Sequence, residues 1–221
     1  MSNHQNTYLK IIAECSFARA RVSNKQIIHF ANVTPATVTE TTRQLQAQGL
    51  VHRRRYTGVT LTEQGKAVAG HLLYAYRLCE VFCDQQLHLP LAQIPAQAWQ
   101  MADALTPVTV SALAEYLDHP QRSPFGGLLD STALPDDSHI TRLSDVPVAT
   151  TVTLTGYLET ANLVAYVDHL ALPLNVPVTI VARDEELHLL YLQLPDDREV
   201  TVNALVATYL YTVPVMASVG R

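Results

Sequence analysis

The pattern of apolar and polar positions is clearest near the N-terminus, where it predicts two short helices separated by a tight turn. Ser23, with Gln26 three residues later, predicts a capping box that starts the first helix. Thr34 as the N-cap and Pro35 at the first helical position start the second helix, because the N–H group that proline lacks would have no partner there. Two helices in this arrangement predict a helix-turn-helix.

The second helix has one face for packing and one for binding. Val38 and Leu45, with the threonines between them, recur at helical spacing and predict the buried face. The opposite face carries hydroxyl, amide and guanidinium groups, which suit phosphates and base edges. Gly49 ends this helix as a C-cap. Apolar runs at 50–51 and 59–61 then flank a basic turn containing glycine, which predicts a β-hairpin, or wing.

We predict that DNA binds to this second helix, its N-terminal turn and the wing. Consecutive arginines on the wing predict phosphate contacts that are independent of sequence, and the polar face of the helix predicts base contacts. The candidate DNA-contact residues are Ser23, Thr34, Pro35, Ala36, Thr37, Thr39, Glu40, Arg43, Gln44, Arg53, Arg54, Arg55 and Tyr56. The alternative is a winged helix that contacts only proteins.

The rest of the chain predicts more helices and then strands. A helix from Asn6 to about Ala18 precedes the pair, and Thr62 caps a long helix to about Leu87. The predicted buried stripe of the long helix consists of Val68, His71 or Leu72, Ala75, Cys79, Phe82 and Gln86. A further helix to Leu117 is bent or interrupted at Pro107.

From residue 144 onward the period changes to that of short strands. Strands are predicted at 150–157, 178–183, 187–194 and 199–202, with one short helix at 162–170. The predicted fold class is α+β, with a winged helix-turn-helix, a helical dimerisation domain and a small C-terminal β-barrel. The predicted boundaries are 1–68 for DNA binding, 69–127 for dimerisation, 128–143 for a linker and 144–221 for the β domain.

Composition fits a globular protein, and the charge distribution favours DNA. With 48% hydrophobic and 16% charged residues, the chain of 221 residues is able to build cores rather than stay disordered. The net charge of −5 argues against nucleic acid, but residues 1–70 hold nine basic and three acidic groups, whereas the remainder holds six and seventeen. A basic end on an acidic body is typical of a DNA-binding domain attached to something else.

Several classes of protein are disfavoured by what the sequence lacks. It has no run of 18 apolar residues and no N-terminal signal pattern, so we expect a cytoplasmic protein without a membrane partner. Its three cysteines do not form a disulfide framework. It has no P-loop, GxSxG, HExxH or paired CxxC motif, so we do not expect an enzyme.

Several segments resemble the DtxR/MntR family of metal-dependent repressors, and most closely its manganese-responsive branch with an extra C-terminal domain. They are YLKII (8–12), RVS (21–23), VTPATVT (33–39), GLV (49–51), LTEQG (61–65), YRLCE (76–80) and RSPFGG (122–127). The last is the most specific, because a similar Ser/Cys-Pro-Phe/His-Gly motif closes the dimerisation domain in this family. The resemblance implies a homodimer on a palindromic operator, switched by Mn²⁺ or Fe²⁺, with an SH3-like, FeoA-type C-terminal domain.

The resemblance also implies positions for metal ligands. The positions of one site hold Thr7, Tyr76, Trp99, Ala102 and Asp103 here, and those of a second site hold Glu80, Ser123, Phe125 and either Glu159 or Thr160. Glu80 and the altered carboxylate Asp103 are the residual metal candidates. Trp99 and Phe125 cannot bind Mn²⁺ or Fe²⁺, which require several oxygen or nitrogen ligands in one cluster. The cofactor is therefore Mn²⁺ or Fe²⁺, as the family implies, or none, and we favour the absence of metal sensing.

Three modes of control stay open, and so does a different class of function. In the first, DNA binding is constitutive or follows another signal. In the second, a residual metal site at Glu80 and Asp103 responds weakly. In the third, Cys79 and Cys83 act as a redox pair. The two cysteines lie one helical turn apart, and the alternative for them is a buried core role. The different class is a scaffold without DNA binding, or a regulatory subunit that heterodimerises with a metal-sensing paralogue.

Overall fold

The computed structural model describes residues 3–17, 21–54, 57–130, 134 and 138–215, and it divides into two compact units. The first unit is Met1–Pro124 with Leu128–Asp136, and the second is Phe125–Gly127 with Asp137–Arg221. The finer predicted boundary between a DNA-binding and a dimerisation domain stays a prediction. The elements of the first unit are α1 (Asn3–Ser16), α2 (Asn24–Ala31), α3 (Pro35–Ala47), β1 (Val51–Arg54), β2 (Gly58–Leu61), α4 (Glu63–Gln85), α5 (Ile94–Ala104) and α6 (Pro107–Tyr116).

The predicted helix-turn-helix is confirmed, together with its caps. The Ser23 hydroxyl accepts from the Gln26 N–H at 3.3 Å, and the Ser23 N–H donates to the Gln26 side chain at 2.9 Å. Asn32 turns the chain in the left-handed conformation, at φ 50°, and Thr34 caps α3. The cap at the end of α3 is Gln48, and the predicted Gly49 follows it at φ 74°. A left-handed glycine in that place is what stops the helix.

Helix α4 is buried on more sides than an amphipathic pattern predicts. The predicted stripe was wrong at His71 and Gln86, which are exposed. The observed stripe is rotated by about one position, and it consists of Gly65, Ala69, Leu73, Tyr76, Glu80 and Cys83. Every residue from 76 to 81 is buried, because α1, α5 and α6 all pack against α4. Burial on all sides removes the periodicity on which the prediction depended.

The helices on either side of α4 follow the sequence signals closely. Helix α1 begins at Asn3, three residues before its predicted start, and buries the predicted stripe Tyr8, Leu9, Ile12 and Cys15. Pro107 interrupts rather than bends the later helix, because it takes the first position of α6 behind the cap Thr106. In the described residues, no helix is long and apolar enough to cross a membrane.

The second unit contains the predicted antiparallel β domain. Its elements are β3 (Thr141–Arg142), β4 (Thr151–Tyr157), α7 (Ala161–His169), β5 (Val176–Asp184), β6 (Leu189–Gln193), β7 (Glu199–Asn203), α8 (Ala204–Ala207) and β8 (Leu210–Pro214). The strands lie in the order β3-β8-β4-β5-β6-β7, and breaks of register between 154 and 156 and between 180 and 182 bend the sheet. Strands β3 and β8 were not predicted, and β8 is the neighbour that completes the pairing of β4.

The RSPFGG segment contributes its last three residues, Phe125–Gly127, to this second unit. The Tyr157 N–H donates to the Phe125 carbonyl at 3.2 Å, and the two rings lie 5.8 Å apart. Gly126 has φ 86°, and a Cβ there would lie 1.9 Å from the Thr155 carbonyl oxygen. A glycine is therefore required at this position by both the backbone conformation and the available space.

Candidate functional site

The polar face of α3 is exposed, as predicted, and one carboxylate organises it. Thr39, Glu40, Arg43 and Gln44 all face solvent. Glu40 accepts from the Arg43 guanidinium at 3.0 Å through one oxygen and from the Gln44 amide at 3.0 Å through the other. The two groups best suited to read base edges are thus held by a common neighbour.

The first turn of α3 presents hydroxyl groups that keep an accepting lone pair. The Thr39 hydroxyl donates to the Pro35 carbonyl at 2.9 Å, and the hydroxyls of Thr34 and Thr37 bond to each other at 2.8 Å. A hydroxyl that donates to the backbone is still able to accept from an amino group at a base edge. Pro35 and Ala36 are exposed beside them and add a small apolar surface.

The wing is a two-stranded hairpin with its arginines near the tip. In it Arg53 pairs with Val59 and Arg54 with Gly58. Val22 extends this pairing to a third segment. Its N–H donates to the Val59 carbonyl at 3.0 Å, and its carbonyl accepts from the Val59 N–H at 2.8 Å. Gly58 lies at φ 110°, and a Cβ there would lie 2.2 Å from the Val22 carbonyl oxygen. The wing is therefore tied directly to the segment that precedes α2.

This tie creates a groove of about 650 Å³ between the wing and the start of α2. It is lined by Ser23, Asn24, Lys25, Gln46, Arg53, Arg54, Thr57, Gly58 and Val59. The structure thus brings Ser23 together with Arg53 and Arg54, as the DNA prediction requires. Lys25 and Gln46 were not among the predicted contacts, although the count of basic residues included Lys25. The predicted contacts Arg55 and Tyr56 lie outside the described residues.

The residual metal candidates differ sharply in their surroundings. Glu80 is fully buried, and burial raises the pKa of its carboxyl to about 8, while the Lys10 ammonium is the largest influence that lowers it. Asp103 is exposed. No cluster of three or more His, Cys, Asp or Glu side chains suited to a metal occurs among the described residues. The assignment of Glu80 and Asp103 as metal ligands stays a prediction. Among the described residues, they do not belong to a cluster with a third side chain of these types.

The Lys10 ammonium, which acts on Glu80, lies against two aromatic rings. The Lys10 Nζ lies 3.0 Å from the centroid of the Tyr76 ring and 4.2 Å from that of Trp99. The two rings meet edge to face, with centroids 5.7 Å apart. Lys10 had no role in the sequence analysis beyond its charge, because the residues around it come from distant parts of the chain.

A buried ion pair occupies the neighbouring space. Arg77 donates to Glu14 at 3.2 Å, and the two side chains are only 3% and 8% exposed. Arg77 also donates to the Leu128 carbonyl at 2.8 Å. The Arg77 guanidinium therefore neutralises the charge of Glu14 and is itself held in place by the Leu128 carbonyl.

The two candidate redox cysteines are buried and reduced. Burial raises the pKa of the Cys79 thiol to about 12 and raises that of Cys83 as well, and the carboxyl of Glu80 adds to both shifts. The Cys83 sulfur contacts the Met101 sulfur at 3.7 Å. Thiols react as thiolates, so this environment disfavours a redox role for the pair.

Comparison with known proteins identifies the family. Residues 1–59 match the N-terminal DNA-binding domain of the iron-dependent repressors, and residues 62–128 match their metal-binding and dimerisation domain. The two matches together cover more than half of the chain. This chain belongs to the iron-dependent repressor family, of the DtxR/MntR type.

Individual members of the family are distant relatives. The iron-dependent repressor IdeR of Mycobacterium tuberculosis is 27% identical over 124 residues, which are 52% of this chain and 54% of that protein. Its counterpart in Mycobacterium leprae is 29% identical over 119 residues, 50% of this chain and 52% of that protein. The chain therefore spans about half the length of the curated relatives it matches.

Solved structures match over nearly the whole chain. The manganese regulator SloR is 25% identical with a TM-score of 0.83, and the match covers 97% of this chain and 100% of that one. The metal-dependent transcriptional regulator MtsR, at 22% identity and a TM-score of 0.86, shows the same fold with the same coverage. The predicted family and fold class are confirmed.

The positions at which the family resemblance implies metal ligands do not fit a divalent ion here. Tyr76 and Trp99 place aromatic rings there, Glu80 supplies the remaining carboxylate, and the Lys10 ammonium lies against both rings. Mn²⁺ and Fe²⁺ need several oxygen or nitrogen ligands in one place. An ammonium is a cation itself and repels another cation.

Proposed function

We propose that this protein is a DNA-binding transcriptional regulator that acts as a homodimer on a palindromic operator in the cytoplasm. One observation carries the proposal, namely the groove lined by Lys25, Arg53 and Arg54, to which α3 contributes Gln46. Cations along a groove attract the phosphate backbone, and the adjacent helix supplies side chains for the base edges. Membership of a family whose matching domain is described as DNA-binding supports it.

The homodimer is supported by an apolar surface on α6 and α4. Val108 is 79% exposed and Tyr116 is 65% exposed. Helix α4 and the C-terminal part of α6 also contribute to a small core of Leu78, Val81, Ala114 and Leu117, around which further apolar side chains are only partly buried. Exposed apolar groups next to a partly covered core are typical of an interface. A twofold dimer would present two winged helices to the two halves of a palindrome.

The test is DNA binding by the full chain, measured by fluorescence anisotropy on DNA from upstream of its own gene at several salt concentrations. We expect affinity to fall steeply with salt, and Arg53→Gln or Arg54→Gln to reduce the slope of log K against log salt by about 0.9 each. Arg142→Gln, in the second unit, is the matched control and should leave the slope unchanged.

The competing class predicts a different result. A scaffold shows no salt-dependent binding to any fragment, alone or with a metal-sensing paralogue. A regulatory subunit binds only when that paralogue is added. Binding by the purified chain alone would favour the homodimeric regulator over both.

A further inference from the structure

One ammonium group joins three helices at the centre of the first unit. Lys10 lies on α1, Tyr76 on α4 and Trp99 on α5, and the Lys10 Nζ lies over both rings, at 3.0 and 4.2 Å from their centroids. An ammonium over the face of an aromatic ring is attracted by the negative potential of that face, most strongly for tryptophan and where water is excluded. Tyr76 is fully buried, and Lys10 and Trp99 are half-buried.

The same ammonium acts on the buried carboxyl of Glu80. Neither oxygen of Glu80 has a hydrogen bond of normal geometry with the described residues, although the nearby Tyr76 hydroxyl favours its charged form. Among all groups that act on Glu80, Lys10 favours the charged form most, ahead of Arg77, which already pairs with Glu14. Ionising a buried carboxyl costs free energy, and the nearby Lys10 ammonium lowers that cost.

A divalent ion has no comparable place in this cluster. The Lys10 ammonium lies against both rings and acts on the Glu80 carboxyl, and Glu14 is committed to Arg77. To bind beside Glu80, a metal ion would have to expel a group of like charge and find its other ligands among aromatic rings. The side chains of this cluster therefore favour the Lys10 ammonium over a divalent metal ion.

We propose that the Lys10 ammonium is a built-in cation that holds α1, α4 and α5 together around Glu80, so that the first unit takes up its ordered form without a divalent metal ion. Because α1 also packs against α2 and α3, this cation stabilises the position of the helix-turn-helix. The consequence for DNA rests on the proposed function, whereas the consequence for stability does not.

The test compares thermal unfolding of the full-length wild type with that of Lys10→Met, Lys10→Arg and Lys10→Glu, each with chelator and with Mn²⁺. Lys66→Met, which removes a half-exposed lysine from α4, is the matched control. Anisotropy on the same DNA, with chelator and with Mn²⁺, is the second readout.

We expect the Tm of the wild type to differ by less than about 1 °C between chelator and Mn²⁺, since a ligand stabilises only the state that it binds. Lys10→Met should lower the Tm by roughly 4–8 °C. Lys10→Arg should retain most of the stability that Lys10→Met loses, and the Tm of Lys66→Met should stay within about 2 °C of that of the wild type. Lys10→Glu places a second carboxylate beside Glu80, so Mn²⁺ should raise its Tm by about 3 °C or more.

Two results on stability would overturn the proposal, and so would one on DNA binding. One is a wild type whose Tm rises with Mn²⁺ by several degrees, which needs no variant to fold. The other is a Lys10→Met protein as stable as Lys66→Met. Wild-type DNA binding that appears only with Mn²⁺ would also refute it while leaving the regulator intact. A wild type that ignores Mn²⁺, loses stability in Lys10→Met and binds no DNA would support the cation and refute the proposed function.

Discussion

A buried ion pair in the first unit shows how the stability of one charged group depends on the presence of the other. Glu14 and Arg77 are almost fully buried and lie 3.2 Å apart. Taking two charges out of water costs free energy that the pair recovers only while both members are present. The thiols of α4 lie in the same interior, where they stay neutral. At this scale the surroundings of a side chain, more than its type, decide what it can do.

Removing one partner of the buried pair should destabilise the protein strongly. We expect Arg77→Met to lower the free energy of unfolding by about 3–5 kcal/mol, because Glu14 is left buried without its cation. Lys66→Met breaks an exposed pair with Glu63 and should cost at most about 1 kcal/mol. Urea denaturation measures both. Equal effects of the two substitutions would contradict the structural role assigned to the buried pair.

The cysteines should be unreactive in the native protein. The pKa of Cys79 is raised from 9.0 to about 12, so its neutral form is favoured by folding. The associated stability is complete below pH 9 and is lost as the pH rises toward 12. At pH 8 we expect an aromatic disulfide reagent to label the native protein slowly and all three thiols after denaturation. Rapid native labelling, or a change of DNA affinity on oxidation that Cys79→Ser abolishes, would revive the thiol switch.

Under the proposed function, helix α3 combines affinity for DNA with selectivity. Its buried face, formed by Val38, Thr41, Thr42 and Leu45, fixes its rotation, so that the polar face points outward. On that face Glu40 holds Arg43 and Gln44. A carboxylate near phosphates weakens binding to any DNA, but it limits the orientations that the two long side chains can take. The helix thus gives up some general affinity for defined geometry.

Replacing Glu40 should separate these two effects. We expect Glu40→Gln to raise the affinity for random-sequence DNA roughly threefold, as the removal of one like charge near a phosphate implies. Discrimination between operator and random DNA should fall, because the Arg43 ion pair is lost. Glu63→Gln, at an exposed position of α4, is the charge-matched control. A rise in affinity without loss of discrimination would show that Glu40 does not orient its neighbours.

On the scale of the whole molecule, the proposed dimer would use a surface separate from the DNA groove. The exposed apolar side chains Val108 and Tyr116 belong to α6, whereas the groove is formed by the wing, the start of α2 and Gln46 near the end of α3. Each protomer then keeps its groove open when the dimer forms. Two linked half-sites bind far more tightly than one, since the second contact becomes intramolecular.

A charged residue introduced on the exposed apolar surface of α6 should therefore weaken DNA binding, although this surface is separate from the DNA groove. Val108→Asp lies in the first turn of α6, where a carboxylate favours the helix, so the fold should survive. We expect analytical ultracentrifugation to show a monomer and operator affinity to fall at least about 100-fold. Leu205→Asp, at a 69% exposed position of the second unit, should change neither. A dimer that persists in Val108→Asp would place the interface elsewhere.

The sequence alone determined the features that depend on near neighbours. The caps at Ser23, Thr34 and Thr62 are local, because each side chain accepts from the N–H three residues later. The hairpin and the interruption at Pro107 also depend only on residues close together in the sequence. The charge split along the chain and the RSPFGG segment likewise needed no coordinates. These signals were sufficient for the family and for the face of α3 that we propose binds DNA.

Only the tertiary structure decided the features that join distant segments. The stripe of α4 is displaced because three helices cover it, and β8 was missed because its role is to pair with β4, more than fifty residues earlier. The groove depends on Val22 meeting Val59, and the ammonium of Lys10 reaches rings at positions 76 and 99. Such contacts leave no periodic trace in the sequence. A lysine that counted only as one more basic residue becomes, in the fold, the cation at the centre of the first unit.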